Sequence, residues 1–298
     1  MKTNKTILVV GSIAIDSLNL PSGKHSNLLG GSASYFAIAA GLLSSVKIVG
    51  VVGTDFPDEA KNLLLSKKIN IDNLVFASGK TFRWGGEYSN TFETRTTLFT
   101  ELGVFESFVP QIKFEDRSSP FLFLGNIQPS LQLEVLDLMV GPKITVSDTM
   151  NLWIDTCSKQ LHKVINKSDI FLLNHEEAEQ LTGTKDIEAS AKIILDMGPK
   201  TVIIKMGADG AYIKNDLNTT YVPSFPVKKV IDPTGAGDSF AGGLLAHLST
   251  TNSIKIIEAV IMGSAMASFC VEGAGLEGLL LSKESELYSR IEKIKSLL

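Results

Sequence analysis

The chain has 298 residues, 44% of them hydrophobic and 20% charged. It is too long and too apolar for a disordered segment, a disulfide-stapled mini-domain or a fibrous repeat. Lys and Arg total 28 against 32 Asp and Glu, a net charge of −4 with no basic run, so a nucleic-acid or anionic-membrane partner has no electrostatic support. Cys157 and Cys270 fit neither a disulfide framework nor a metal spacing, which points to a reducing cytoplasm.

Residues 7–13 read as a buried first strand. The segment has the outline of a signal peptide, but it is rich in Ile and Val, Asp16 closes it, and no small-x-small site follows. Residues 26–46 carry no Lys, Arg, Asp or Glu. Their apolar block at 35–43 is far short of the ~20 residues that span a bilayer. This stretch reads as a Gly30-Gly31 turn and a small-residue helix over 32–45. A strand follows at 46–52, then a helix at 57–67 opened by Pro57. The alternation continues as strand 121–125 into helix 130–139, strand 144–147 into helix 151–164, strand 170–173 into helix 175–181, and strand 202–205. Such a rhythm predicts an α/β fold around a mostly parallel sheet. Residues 81–101, TFRWGGEYSNTFETRTTLFTE, interrupt it. Their Thr and aromatic content and local alternation favour antiparallel strands outside the main layer. Near the C-terminus, 230–231 end a strand, 232–238 turn, and helices follow over 239–248, 254–271 and 283–298.

The most informative segment is 230–243, VIDPTGAGDSFAGG. Gly235 and Gly237, with Ala236 between them, leave the backbone bare just where a helix opens, so unsatisfied N–H groups face outward with the helix dipole behind them. Phosphate oxygens bind such a site. Asp238 stands at the helix entrance, where its carboxylate is favoured as the anion and can take a proton from a hydroxyl. A phosphate cradle beside a carboxylate base suits phosphoryl transfer to an alcohol. The plain alternative is a glycine turn with Asp238 as a helix cap.

This block resembles the second signature of the ribokinase-like (PfkB-type) family of sugar and nucleoside kinases. Gly30-Gly31-Ser32-Ala33-Ser34-Tyr35-Phe36-Ala37-Ile38-Ala39-Ala40-Gly41-Leu42 is similar to its first signature, in the family's order, and the likeness covers essentially the whole chain. The resemblance implies a three-layer αβα fold, one domain over 1–298, with lid strands at about 14–22 and 81–101. It implies ATP and Mg²⁺ as donor and metal. Asp238 would be the catalytic base, and the N–H groups of Gly235, Ala236 and Gly237 the anion hole. Asp16, Gly30, Gly31, Ser32, Arg83 and Asn126 would meet the acceptor. Asn174 and Glu177 match the family's Asn-x-x-Glu, with Glu177 acting on Mg²⁺ through water; the same spacing also makes a capping box. Lys205, Gly207 and Gly210 would line the nucleotide, although the Lys205 position is often small and polar in relatives. Asp232 and Thr234 would form half of a K⁺ site whose other half, at 271–277, departs from the usual pattern at Glu277. A homodimer through the lid follows by resemblance alone.

Two glycine motifs fail their context tests. Residues 273–278 match G-x-G-x-x-G but follow a helix, and Gly79-Lys80-Thr81 lacks the first glycine of a P-loop. Phe82, Trp84 and Tyr88 in the lid suit a nucleobase, a sugar face or an interface equally, and Arg83 or Arg95 could meet a substrate phosphate. The sequence therefore predicts phosphorylation of a small sugar at a primary hydroxyl. The 5′-hydroxyl of a nucleoside is the alternative acceptor, and a catalytically silent binding protein the alternative of another class.

Overall fold

The structure, a computed structural model, describes residues 5–92, 94–251 and 253–298. Its strands are β1 (Ile7–Val10), β2 (Ala14–Leu20), β3 (Gly23–Gly30), β4 (Val46–Gly53), β5 (Asn70–Ala77), β6 (Phe82–Tyr88), β7 (Arg95–Glu101), β8 (Phe121–Leu124), β9 (Ile144–Asp148), β10 (Ile170–Asn174), β11 (Thr201–Lys205), β12 (Ala211–Asn215) and β13 (Thr219–Val222). Its helices are α1 (Ser32–Gly41), α2 (Asp58–Ser66), α3 (Pro129–Leu138), α4 (Asn151–Thr156), α5 (Ser158–Lys167), α6 (His175–Thr182), α7 (Ile187–Asp196), α8 (Ala236–Thr250), α9 (Ile256–Cys270), α10 (Glu277–Leu281) and α11 (Glu284–Lys295).

The main sheet has the order β13-β12-β11-β10-β9-β8-β1-β4-β5. Its pairs from β11 through β5 are parallel, and β12 and β13 add an antiparallel edge. Successive strand side chains point to opposite faces, and the core divides accordingly. Ile7 and Val9 join Phe36, Phe123, Leu244 and Met266 on the face covered by α1, α8 and α9. Leu8 and Val10 join Leu122, Leu124 and Val135 on the face covered by α3. That both faces of β1 are buried explains its unbroken apolar run. The chain runs outward from β1 to β4 and β5 on one side, then from β8 to β11 on the other. The switch point is therefore between β1 and β8, and the crevice beyond the strand C-termini opens there.

A second sheet, β3-β2-β6-β7, forms the lid. It is mixed: β2 pairs parallel with β6, and the outer pairs are antiparallel. Strand β3 is an element the sequence did not suggest, because 26–30 reads as part of a turn. Three further details differ. Residues 230–231 form no strand; Ile231 and Asp232 instead donate their amides to Val271 O. The helix expected over 151–164 breaks at Cys157 into α4 and α5. Helix α8 begins at Ala236, ahead of the expected 239, so Asp238 belongs to its first turn. Among the described residues no helix is long and apolar enough to cross a membrane.

Candidate active site

The glycine cradle is shaped by what lies beneath it. Gly235 caps α8 in the left-handed region at φ 75°, and a Cβ there would collide with the Tyr35 ring. Both facts require glycine. The Ala236 amide already reaches Pro233 O at 3.2 Å. Among the described hydrogen bonds, the Gly235 and Gly237 amides have no protein partner. A Cβ on Gly237 would lie 3.1 Å from Lys205 Nζ, so an ammonium group sits directly under the bare backbone.

Lys205 closes β11 and donates to Asp148 Oδ2 at 2.7 Å. Its side chain is only 16% exposed. Burial works against its charge, but Asp148 and then Glu177 outweigh that, and its pKa stays above the usual lysine value. Burial, and then repulsion from Asp148, push the Asp238 carboxyl up to about 7 against the pull of Lys205. The expectation of a helix entrance favouring the anion is thus overridden by desolvation and a like charge. A base poised near neutrality suits proton transfer at physiological pH.

Asn174 and Glu177 form the capping box the sequence suggested. Glu177 N donates to Asn174 Oδ1 at 2.8 Å and Asn174 N donates to Glu177 Oε2 at 2.8 Å. Burial, then Asp148, raise the Glu177 pKa to about 7. Next to Lys205, Gly207 (φ 58°) and Gly210 (φ 99°) make the expected tight turn. Among the described residues no three side chains converge as a metal cluster. Asp148 and Glu177 still offer hard carboxylate oxygens beside the cradle, the donor type Mg²⁺ takes when phosphates and waters complete its shell.

The cradle loop is anchored from three directions. Asp232 spends one oxygen on Thr234 N (2.9 Å) and the other on Gly275 N (2.8 Å). Cys270 Sγ donates to Thr234 O at 3.3 Å. From the lid, Tyr88 OH and Thr234 Oγ1 share a hydrogen bond of 2.9 Å.

At the other end of the crevice, Asp16 on β2 is 3% exposed. Burial, then the charges of Asp232 and Asp238, raise its pKa to about 7. A side chain on Gly30 would strike the Asp16 carboxylate. Gly31, at φ 90°, enters α1. The Ser32 hydroxyl is committed internally: Ser12 N donates to Ser32 Oγ and Ser32 N to Ser12 Oγ, each at 3.1 Å. Arg83 faces Asp55 Oδ2 at 3.5 Å, whose other oxygen holds Thr81. Asn126, just beyond β8, accepts from Trp153 Nε1 at 2.8 Å.

A model of the family described as pfkB family carbohydrate kinase matches residues 121–281, more than half of the chain. A cytidine kinase of Thermococcus kodakarensis is 30% identical over 250 residues, 82% of this chain and 88% of that protein. The chain belongs to the pfkB carbohydrate kinase family. It is accordingly an ATP-dependent sugar or nucleoside kinase, with the ribokinase-like fold. Two solved structures share that fold: Methanocaldococcus jannaschii nucleoside kinase (TM-score 0.80, 21% identity, 97% of this chain and 98% of that one), and a putative ribokinase II from E. coli in complex with ATP and Mg²⁺ (TM-score 0.81, 19% identity, 97% and 99%).

In this kinase the residues expected at the phosphate end do gather around Lys205, and Asp16 faces them across the crevice. Arg83 faces Asp55, and Ser32 exchanges hydrogen bonds with Ser12. Sequence reasoning missed Asp148, Tyr35, Trp153 and the Tyr88–Thr234 contact. Asp148 left a signal: it is the carboxylate that closes the apolar run ITVSD.

Proposed function

We propose that the kinase transfers the ATP γ-phosphoryl group to the 5′-hydroxyl of a nucleoside. The observation that carries this reading is the match of 82% of the chain to a cytidine kinase. It is supported by Trp84 and Tyr88 on the lid strand β6, paired in register with the strand that bears Asp16. The residues taken alone favour a small sugar; that second reading keeps the support of the family's carbohydrate kinase description.

In the proposed reaction Asp238 takes the proton of the acceptor hydroxyl. The hydroxyl oxygen then bonds to the γ-phosphorus as the bond to the β,γ-bridging oxygen breaks, and ADP leaves. The Gly235, Ala236 and Gly237 backbone and the Lys205 ammonium take up the charge on the moving group, as a loose transition state requires. Asn174, Gly207 and Gly210 line the nucleotide. Asp16 and Asn126, with the Gly30-Gly31 backbone, orient the acceptor; Arg83 and Ser32 act on that end through Asp55 and Ser12. Bound near Glu177 and Asp148 through water, Mg²⁺ would neutralise the β- and γ-oxygens. A K⁺ ion at Asp232 and Thr234 has weaker support, because both Asp232 oxygens already accept backbone amides.

The outer lid strand β7 is exposed along its length, with Leu98 at 48% and Phe99 at 38%. A solvent-exposed edge strand that carries two exposed apolar side chains supports a homodimer through the lid. The two free cysteines suit a cytoplasmic setting. The test is ADP release from ATP·Mg²⁺ with cytidine, adenosine, inosine, D-ribose and D-fructose. Turnover with nucleosides is expected. Turnover with sugars alone overturns the nucleoside reading, and ATP binding with no turnover overturns the kinase chemistry.

A further inference from the structure

We propose that Trp153 is a positioning residue for the acceptor: its indole N–H locks the Asn126 amide so that the NH₂ group, and not the oxygen, is presented to the substrate. The proposal rests on the reading that Asn126 faces the acceptor, and it names the chemistry of that contact.

Trp153 Nε1 lies 2.8 Å from Asn126 Oδ1. An indole nitrogen can only donate, so the atom opposite it must be the amide oxygen. That fixes an orientation which is otherwise assigned by network alone. The Nδ2 end turns to the Met150 thioether sulfur at 3.1 Å. A thioether is a weak acceptor, one that a ligand oxygen displaces at little cost. Among the described hydrogen bonds Nδ2 has no other partner. Asn126, Met150 and Trp153 are each only partly buried, so the donor end is reachable.

The scaffold behind this trio is rigid. Gly125 N donates to Val10 O at 2.8 Å, which places Asn126 at the β1/β8 switch point. Gln132, 1% exposed, donates to both Gly125 O (2.9 Å) and Asp148 O (3.0 Å). It thereby ties the loop carrying Asn126 to the loop leading into Trp153. This part of the acceptor site therefore selects a substrate atom with a lone pair, such as a base carbonyl or a sugar oxygen.

The probe is cytidine at saturating ATP, or D-ribose if cytidine does not turn over. Trp153→Phe keeps the ring and removes the N–H. It should raise the acceptor KM about threefold to tenfold, the worth of one net hydrogen bond, with kcat and the ATP KM unchanged. Asn126→Asp still accepts from Trp153 but has no N–H to offer, so it should raise the acceptor KM as much as Asn126→Ala. In the Trp153→Phe/Asn126→Ala double variant the two effects should not add. A wild-type acceptor KM in Trp153→Phe, where Asn126→Ala raises it, overturns the proposal. So does a wild-type KM in Asn126→Asp, which decides alone if Trp153→Phe fails to fold. A wild-type KM in Asn126→Ala instead removes the acceptor contact itself and the proposal with it, while cytidine turnover in the wild type still upholds the nucleoside kinase reading.

Discussion

The phosphate end and the lid end of the crevice are built on different principles. At the phosphate end, groups from β9, α6, β11 and α8 converge: Asp148, Glu177, Lys205 and Asp238, with burial and then the Asp148 charge raising the pKa of Glu177 and of Asp238. The lid end is a four-stranded sheet whose outermost strand is wholly exposed, joined to the cradle by the Tyr88–Thr234 hydrogen bond. Chemistry common to a kinase family needs the first arrangement, rigid and charged. Choice of acceptor needs the second, which can vary without disturbing the core. The phosphate end should therefore govern kcat and the lid end the acceptor KM.

The largest break of that division is Asp238→Asn. Loss of the base should cut kcat by at least ~10² with the ATP KM nearly intact; steady-state rates with a near-normal kcat would remove Asp238 from the mechanism. Lys205→Met comes next. It takes a cation from under the cradle and leaves Asp148 unpaired, so kcat/KM for ATP should fall roughly 10- to 100-fold, with the acceptor KM little changed. An equal rise in both KM values would show that the two ends are not separable.

A pH series sharpens the comparison further. With Asp238 titrating at about 7, kcat/KM should climb tenfold per unit below that value and level off above it. Stability of the ligand-free protein should move oppositely. Asp16 holds its proton up to about 7 in the native state, and an unfolded Asp releases it near ~3.9. The stability this contributes is complete below the lower value and disappears as pH rises through the upper one. Thermal unfolding at pH 5 and pH 8 should show the drop, and Asp16→Asn should make it smaller without abolishing it, because Glu177 and Asp238 are also raised to about 7. An unchanged slope in that variant would place the titration elsewhere.

The smallest effect belongs to the lid contact. Tyr88→Phe removes one hydrogen bond to Thr234, about 1 kcal/mol. It should raise the acceptor KM a few-fold and leave kcat alone. A loss of kcat instead would mean that the lid holds the cradle in shape.

The alternating strands and helices, both glycine signatures and the Asn174–Glu177 cap were legible in the sequence because each is local: a run of apolar residues, a bare turn, a three-residue spacing. Strand β3 was not, since its residues are largely exposed and polar and its pairing with β2 is decided by the lid, not by its own pattern. Helix α7 was missed although its signal is local, an Asp186 cap that accepts from Ala189 N with Glu188 in the first turn. In the site, Asp238 and Lys205 could be named, but not their mutual influence. Desolvation depends on neighbours distant in the chain, and so the Asp238 ionisation was expected to lean the other way. Asp55, opposite Arg83 at 3.5 Å, left no signal in the sequence as its partner.

Tyr35, in the first turns of α1, lies directly beneath Gly235, the cap of α8, and the two helices pack together with Gly242 against Phe36 and Ala39. The pocket floor thus comes from near one terminus and its roof from near the other. A fragment that ends before Gly235 lacks the cradle, and one that begins after Tyr35 lacks its floor. On refolding from denaturant, recovery of turnover should lag the formation of local helices, since ordering that one aromatic ring against a distant turn requires closing a loop of about two thirds of the chain.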